Sequence, residues 1–384
     1  MVAGMTPVPT PPDLRALTTL RFLAALWVVL YTAWPYLDVG FVPVAVTRGY
    51  LGVEAFFILS GFILSHVYLE AVGEKRFRYG GFLWARIARV YPLHLVTLFG
   101  MIALGMAATV AGLSIDGSLT DWRALPAHLT MTHAWGLAPS SAFNHPSWSI
   151  SAEWFAYLSF PAFALVAWRL RNRPVLATAL ATAFALGLYA AFQPLAGYAL
   201  TEATFRWGAL RIVPCFALGC ALYLIHRRGG IPYAAPVALL SGAAVLISAS
   251  LGLWDAITVL AAGGLILGLG SLDNARAGVF GSRVGVYLGE ISYSIYMVFA
   301  PVLLLTTNIA ARLTGVDDKR FHIIVWLAIL AAIPVTAMLT YHLVERPART
   351  ALRGLADRRA AREAAAKART NSPERVLQPS ETIV

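Results

Sequence analysis

A chain of 384 residues in which 59% are hydrophobic and 13% charged has about half the charged share of an ordinary soluble domain. With a mean hydropathy of +0.68 this composition excludes a water-soluble globular protein, and the unit to count becomes the apolar stretch of about 20 residues that spans a bilayer. A net charge of +11 would raise nucleic acid as a partner for a soluble protein; here its distribution matters more, because lysine and arginine set membrane orientation.

Residues 1–14 are polar and proline-rich and lead into an apolar run without a small-residue cleavage site, so a short cytoplasmic segment is expected rather than a cleavable signal peptide. Apolar runs follow at 17–37, 47–70, 90–112, 149–168, 174–193, 207–226, 232–253, 256–272, 284–308 and 321–344. They predict an all-α, polytopic membrane protein of about ten transmembrane helices, with the membrane domain over 15–349. Of the 30 lysines and arginines, only Arg48, Arg123, Arg206, Arg211, Arg312, Lys319 and Arg320 fall on the far side in this scheme, which places both termini in the cytoplasm. The longest outer connection, 112–146, holds Asp116, Asp121, Trp122, His128, His133, Asn144 and His145, and loops of that length are often functional. Residues 350–384 read as a basic cytoplasmic tail, a solvated helix that frays toward a polar end. Cys215 and Cys220 share one apolar run at a spacing that suits neither a metal site nor a disulfide framework, and are expected to be buried packing residues. No metal site is expected.

Charged groups inside apolar segments are costly to bury and mark either buried ion pairs or a substrate path. Arg21 opens the first run, with Thr32 eleven residues later, about 16 Å further along a helix. Glu54 precedes FFILSGF, which contains Ser60, and RIARVYP sets Arg86 and Arg89 one turn apart beside Tyr91. Two guanidiniums so placed suit a phosphate or pyrophosphate through their planar forks of donors; positive-inside anchoring explains them equally well. Glu153 lies near Ser147, Ser149 and Ser151, where it either pairs with a buried arginine or orients a reacting hydroxyl or acts as a base. Tyr293 and Tyr296 share a helix face, in a packing role or with their hydroxyls in use. Arg211, Glu290, Glu345 and Arg346 complete the set.

RFLAALWVVLY, GVEAFFILSGFIL, RIARVYPLHL, HPSWSISAEWFAYLSFP, LRIVPCFALG, EISYSIYMV and HLVERPAR occur in the order and spacing of the acyltransferase-3 family of integral membrane acyltransferases, and the resemblance covers about residues 15 to 350. It implies a ten-helix domain that takes an acyl group, commonly acetyl, from cytoplasmic acyl-CoA. The group is placed on a hydroxyl of a glycan, glycolipid or small-molecule acceptor, in the plasma (inner) membrane of a bacterium, with membrane lipids as surroundings and no nucleic acid as partner. Arg21 is similar to the arginine of the family's motif of arginine, ten residues, histidine. The histidine position is Thr32, and Phe299 stands where many members have a second histidine. Arg86 and Arg89, with Tyr91 and Ser60, are similar to the family's residues for the CoA co-substrate. Ser149, Ser151, Glu153 and Tyr157 match its serine, glutamate and tyrosine motif, and His145 joins them on the acceptor side.

The mechanism implied has a base at position 32 deprotonating the acceptor hydroxyl, with Arg21, Tyr293 or a serine stabilising the oxyanion. Threonine cannot take that proton at neutral pH. Three readings stay open: an engineered replacement, a member that uses another base (Glu153 first, then His145 and His66), or a homologue that has lost catalysis. The rival to an enzyme is a non-catalytic membrane protein that keeps the cavity to bind or transport acyl-CoA or lipid.

Overall fold

A computed structural model describes residues 13–112, 119, 121–356 and 358; the N-terminal segment before Asp13, Asp116 in the outer connection and the tail beyond these bounds lie outside the described residues. Eight helices are long and apolar enough to cross a membrane. They are α1 (Arg15–Ala33), α2 (Gly52–Gly73), α3 (Tyr79–Val110), α4 (Trp148–Arg169), α5 (Pro174–Ala196), α6 (Gly208–His226), α10 (Ser292–Thr314) and α11 (Ile323–Thr340). The last continues through a π-helical turn, Tyr341–Glu345, to Ala356. Two shorter apolar helices, α7 (Ala234–Ser250) and α8 (Asp255–Gly270), pack as a pair. At 1.5 Å per residue their 17 and 16 residues give about 25 Å each. The described residues form no strand beyond one isolated bridge between Leu37 and Phe321. The protein is thus an all-α polytopic membrane protein.

Two elements differ from the apolar runs. The run expected at 90–112 begins eleven residues earlier in space, at Tyr79, because Arg86 and Arg89 lower the hydropathy of turns that are nonetheless helical. The run at 284–308 is broken at Ile291 into a short amphipathic helix, α9 (Arg283–Glu290), followed by α10. Prolines lie inside several long helices, among them Pro92, Pro161 and Pro214. Neighbouring helices in a bundle make such residues tolerable.

The centre is built on close helix approaches. Gly61 of α2 and Gly219 of α6 face each other's backbones: a Cβ at the first would strike Phe216 O, and one at the second Ile58 O. Gly289 of α9 meets the Thr18 carbonyl of α1 in the same way. Small residues at such crossings let backbones approach, which fixes α2 in rotation against α6. Next to this crossing Arg211 of α6 donates Nε to Glu54 Oε1 (2.6 Å), Nη2 to Glu54 Oε2 (3.0 Å) and Nη1 to Ala203 O (3.0 Å). Its guanidinium carbon lies 4.6 Å from the ring centre of Trp148 in α4. One ion pair therefore ties α2, α4 and α6. Cys215 and Cys220 are buried free thiols in the same region.

Both described ends lie at one end of the bundle. Asn274 donates to the Asp13 carbonyl before α1, and Trp84 in the second turn of α3 donates its indole hydrogen to Leu352 O (2.7 Å). At the opposite end Trp326 of α11 donates to Ala33 O of α1 (2.8 Å), and Arg48 pairs with Asp255 at 2.6 Å.

Candidate active site

A cavity of about 460 Å³ opens along α1, α2, α3, α4 and α10. Its lining on α2 centres on a helical stripe, Val53, Phe56, Ser60, Ile63 and Val67, spaced three and four apart, with Phe57, Leu59, Leu64 and His66 at its flanks. That stripe runs about 21 Å, some two thirds of a bilayer's hydrocarbon thickness. Asp13 and Leu14 line it just before α1, and from α1 come Leu17, Thr18 and Arg21, from α3 Arg86, Arg89 and Val90, from α4 Ser149, Glu153 and Tyr157, and from α10 Tyr293 and Tyr296. Because α1 and α3 begin and α2 ends at the same end of the bundle, the arginines cluster toward that end.

Of the sequence-chosen residues, the cavity therefore gathers Arg21, Ser60, Arg86, Arg89, Ser149, Glu153, Tyr157 and Tyr293, and His66 beside them. Among the described residues, no carboxylate lies within ion-pair distance of Arg21, Arg86 or Arg89. Arg86 is held instead by rings, about 5.8 Å from Tyr68 and Phe82 and 5.9 Å from Tyr157, with Nη2 at 3.4 Å from the Tyr68 hydroxyl. A guanidinium laid on aromatic faces keeps its edge free for an anion. Arg86 Nε is buried with no hydrogen-bond partner in the structure.

Glu153 does not pair with a buried arginine. Arg211 is taken by Glu54, and Glu153 Oε1 accepts a hydrogen bond from Ser60 Oγ at 2.9 Å. Ser149 Oγ lies 2.9 Å from the Tyr296 hydroxyl and 3.2 Å from the Pro146 carbonyl. Tyr293 lines the cavity, but its hydroxyl donates to Val90 O at 2.6 Å, so that hydrogen is committed to α3 rather than directed at a reacting oxygen.

Four chosen residues lie elsewhere. Thr32 is three helical turns beyond Arg21 on the same face of α1, past the end of the lining, and its hydroxyl bonds back to Val28 O at 3.1 Å. Tyr91 donates to Leu129 O at 2.9 Å. Ser151 is buried and closes the fold of the outer connection: its Oγ accepts from Ala134 N and its carbonyl from the Trp135 indole, both at 2.9 Å. His145 packs its ring against Phe205 at 5.4 Å.

The outer connection is more structured than a loop. It folds back along α3, so that His128 and His133 stack with centroids 3.9 Å apart, and His133 lies nearly parallel to His94 at 5.9 Å. His133 Nε2 lies 3.1 Å from Ser147 Oγ, and His94 Nε2 lies 2.9 Å from His128 O. Burial, and after it the neighbouring imidazoles, hold His133 well below the ordinary imidazole range and push His128 down to about 3. Among the described residues no group of three His, Cys, Asp or Glu side chains is arranged to hold a metal ion. In the exposed part of the connection, hydrogen bonds from Arg123 and then Ser140 hold Asp121 down at about 2.

Sequence reasoning did not foresee the roles of Tyr68 and Phe82, whereas Tyr296 was paired with Tyr293 on one helix face and its hydroxyl is in use against Ser149. For Tyr68 and Phe82 the signal is present: aromatic residues lie one to two turns from the arginine pair and from the SGF motif.

The fold and the cavity define a polytopic membrane protein built around a cation-lined internal chamber with hydroxyl and carboxylate groups at its middle. The chain belongs to the acyltransferase-3 family: residues 14–344 match the family described as "Acyltransferase domain". It is similar to "Acyltransferase MdmB" of Streptomyces mycarofaciens, with 30% identity over 286 residues, 67% of this chain and 69% of that protein. A further similarity, 45% identity over 64 residues, links 17% of the chain to 34% of "Protein 2 in picA locus" of Rhizobium radiobacter. No solved structure matches the chain. Family membership makes it a membrane acyltransferase in general terms.

Proposed function

We propose that the protein moves an acyl group, acetyl in the first instance, from cytoplasmic acyl-CoA to a hydroxyl of a glycan, glycolipid or small-molecule acceptor. The reading rests on one observation: Arg21, Arg86 and Arg89 share a cavity with the Ser60–Glu153 pair, and among the described residues no carboxylate lies within ion-pair distance of any of the three. Three guanidiniums suit the pyrophosphate and the ribose phosphate of a CoA, each by its planar fork, and place the thioester toward the serine and carboxylate. Arginine in a water-poor site also stabilises a developing oxyanion more strongly than it would in bulk solvent. The end of the bundle that holds the arginines is read as cytoplasmic, since Lys75, Arg76, Arg78, Arg349 and Arg353 lie there too. Both named relatives are bacterial, which supports the plasma membrane of a bacterium as its location.

Thr32 favours a second reading, a homologue that binds or carries acyl-CoA or lipid without consuming it. Release of free CoA from acetyl-CoA, followed with purified protein and a panel of hydroxyl acceptors drawn from host glycans and lipids, separates the two. Acceptor-dependent loss of the thioester supports the enzyme. Saturable acetyl-CoA binding with an intact thioester under every acceptor supports the carrier.

A further inference from the structure

We infer that Ser60 carries the acyl group covalently, so that the transfer proceeds through a seryl ester formed at the middle of the cavity. The inference rests on the acyl-CoA-dependent reading above and adds to it a route. Two serines line the cavity. Ser149 lies against the Tyr296 hydroxyl and the Pro146 carbonyl, whereas Ser60 gives its hydrogen to the Glu153 carboxylate at 2.9 Å. A hydroxyl donating to a carboxylate, within reach of a substrate chamber, is the arrangement that activates an oxygen nucleophile. Glu153 is available for this because, among the described residues, no arginine lies within ion-pair distance of it, and Arg211 is consumed by both oxygens of Glu54.

Position supports the route. Ser60 is the central member of the α2 stripe from Val53 to Val67, and its neighbour Gly61 locks α2 against α6 through the Phe216 carbonyl, so the nucleophile sits on a fixed element. A cofactor entering at the arginine end and an acceptor entering at the other would each have to reach only this midpoint, in turn. Position 32 is filled by a threonine whose hydroxyl is bound to its own helix and lies past the lining, so the carboxylate beside Ser60 is the base the cavity offers the first half.

In the first half, Ser60 Oγ attacks the thioester carbonyl carbon while its proton passes to Glu153. The carbon–sulfur bond breaks and the CoA sulfur leaves with the proton that Glu153 holds, so one ester replaces one thioester. In the second half, the acceptor oxygen attacks the seryl ester as its proton passes to Glu153. The bond from the acyl carbon to Ser60 Oγ breaks, and Ser60 recovers its proton from Glu153.

The test uses the full-length protein in lipid nanodiscs, acetyl-CoA carrying carbon-14 in its acetyl group, no acceptor, and acid quenching over the first turnover. Label should accumulate on the chain in step with a burst of free CoA, map to the peptide containing Ser60, and come off in alkaline hydroxylamine. Ser60→Ala should lose label and burst while still binding acetyl-CoA, which shows that it is folded. Ser60→Cys should regain the label as a thioester, now released by hydroxylamine at neutral pH. Label on another residue, full transfer by Ser60→Ala, or CoA release that requires acceptor and leaves no label at any time would overturn the inference while leaving acyl-CoA-dependent transfer intact. Absence of acetyl-CoA binding and of CoA release under every condition would instead remove the functional reading, and this route with it.

Discussion

Glu54 and Arg211 meet as a two-bonded ion pair at 2.6 and 3.0 Å, with both side chains essentially removed from solvent and 157 residues apart in sequence. The pair joins α2 to α6 beside the Gly61–Gly219 crossing and lays its guanidinium on Trp148 of α4. It therefore fixes the two helices that bring Ser60 and Glu153 together. Neither of its members lines the cavity.

Removing one partner should be far worse than removing both. Glu54→Ala leaves a buried guanidinium without its counter-charge, which typically costs about 3–5 kcal/mol, whereas an apolar replacement of the whole pair is often tolerated. Thermal unfolding in detergent should show a large loss for Glu54→Ala and for Arg211→Ala, with much of it recovered in Glu54→Leu combined with Arg211→Met. Additive losses in the double variant would mean that the two side chains act independently.

Arg86 and Arg89 supply the second prediction. Charge-assisted hydrogen bonds contribute about 1.5–3 kcal/mol each, so losing one guanidinium should weaken acetyl-CoA binding roughly ten- to a hundred-fold. Arg86→Lys should restore only part of this, because an ammonium has no planar fork and cannot lie on Tyr68 and Phe82 in the same way. Titration with acetyl-CoA and with desulfo-CoA reads the effect without turnover. Unchanged affinity in Arg86→Ala combined with Arg89→Ala would show that the pair only anchors the helix end.

Much of this architecture is legible in the sequence, for a physical reason: a membrane helix must be continuously apolar, so each span writes itself as a local run. Local runs fail where charge is functional. The basic turns around Arg86 and Arg89 were cut from the expected third span, though α3 begins at Tyr79. The stripe of α2 and the arginines of α1 and α3 could be read as candidates, because their spacing lies within single helices. Their partners could not. That Glu54 rather than Glu153 takes Arg211, that Ser60 donates to Glu153, and that His133 stacks beside His94 are contacts between residues tens to more than a hundred positions apart, and no periodicity encodes them.

Thr32 gives a third prediction. It lies past the end of the lining and bonds to Val28 O, about 16 Å along α1 from Arg21. Thr32→His should accordingly leave acetyl-CoA affinity and the burst of free CoA unchanged, and act only on the step that involves acceptor. Stopped-flow CoA release without acceptor isolates the first half. A faster burst in Thr32→His would place residue 32 at the thioester and contradict its position outside the chamber.

The stack of His94, His133 and His128 should make stability pH-dependent in a defined direction. His128 is fully buried and neither of its ring nitrogens has a hydrogen-bond partner, and Nδ1 of His133 and of His94 is likewise unpartnered. Burial pushes His128 down to about 3 and holds His133 well below the ordinary imidazole range, so the folded state keeps them neutral while the unfolded chain takes up protons near 6.5. The stabilisation is thus fully present above about pH 6.5 and is lost progressively as pH falls from there toward the folded values. The groups facing the stack are Tyr91, Ser147, Phe143, Phe205 and the other imidazoles; the imidazoles lower one another, and polar contacts of His133 with the Ser147 and Ala127 backbone oppose burial without overcoming it. Asp121, held down at about 2 by Arg123 and Ser140, acts in a different window, below about pH 4. The melting temperature should therefore drop between pH 7 and pH 5, and His128→Phe, which fills the same space without a titrating nitrogen, should flatten that slope. An equal slope in His128→Phe would assign the pH dependence to groups outside the stack.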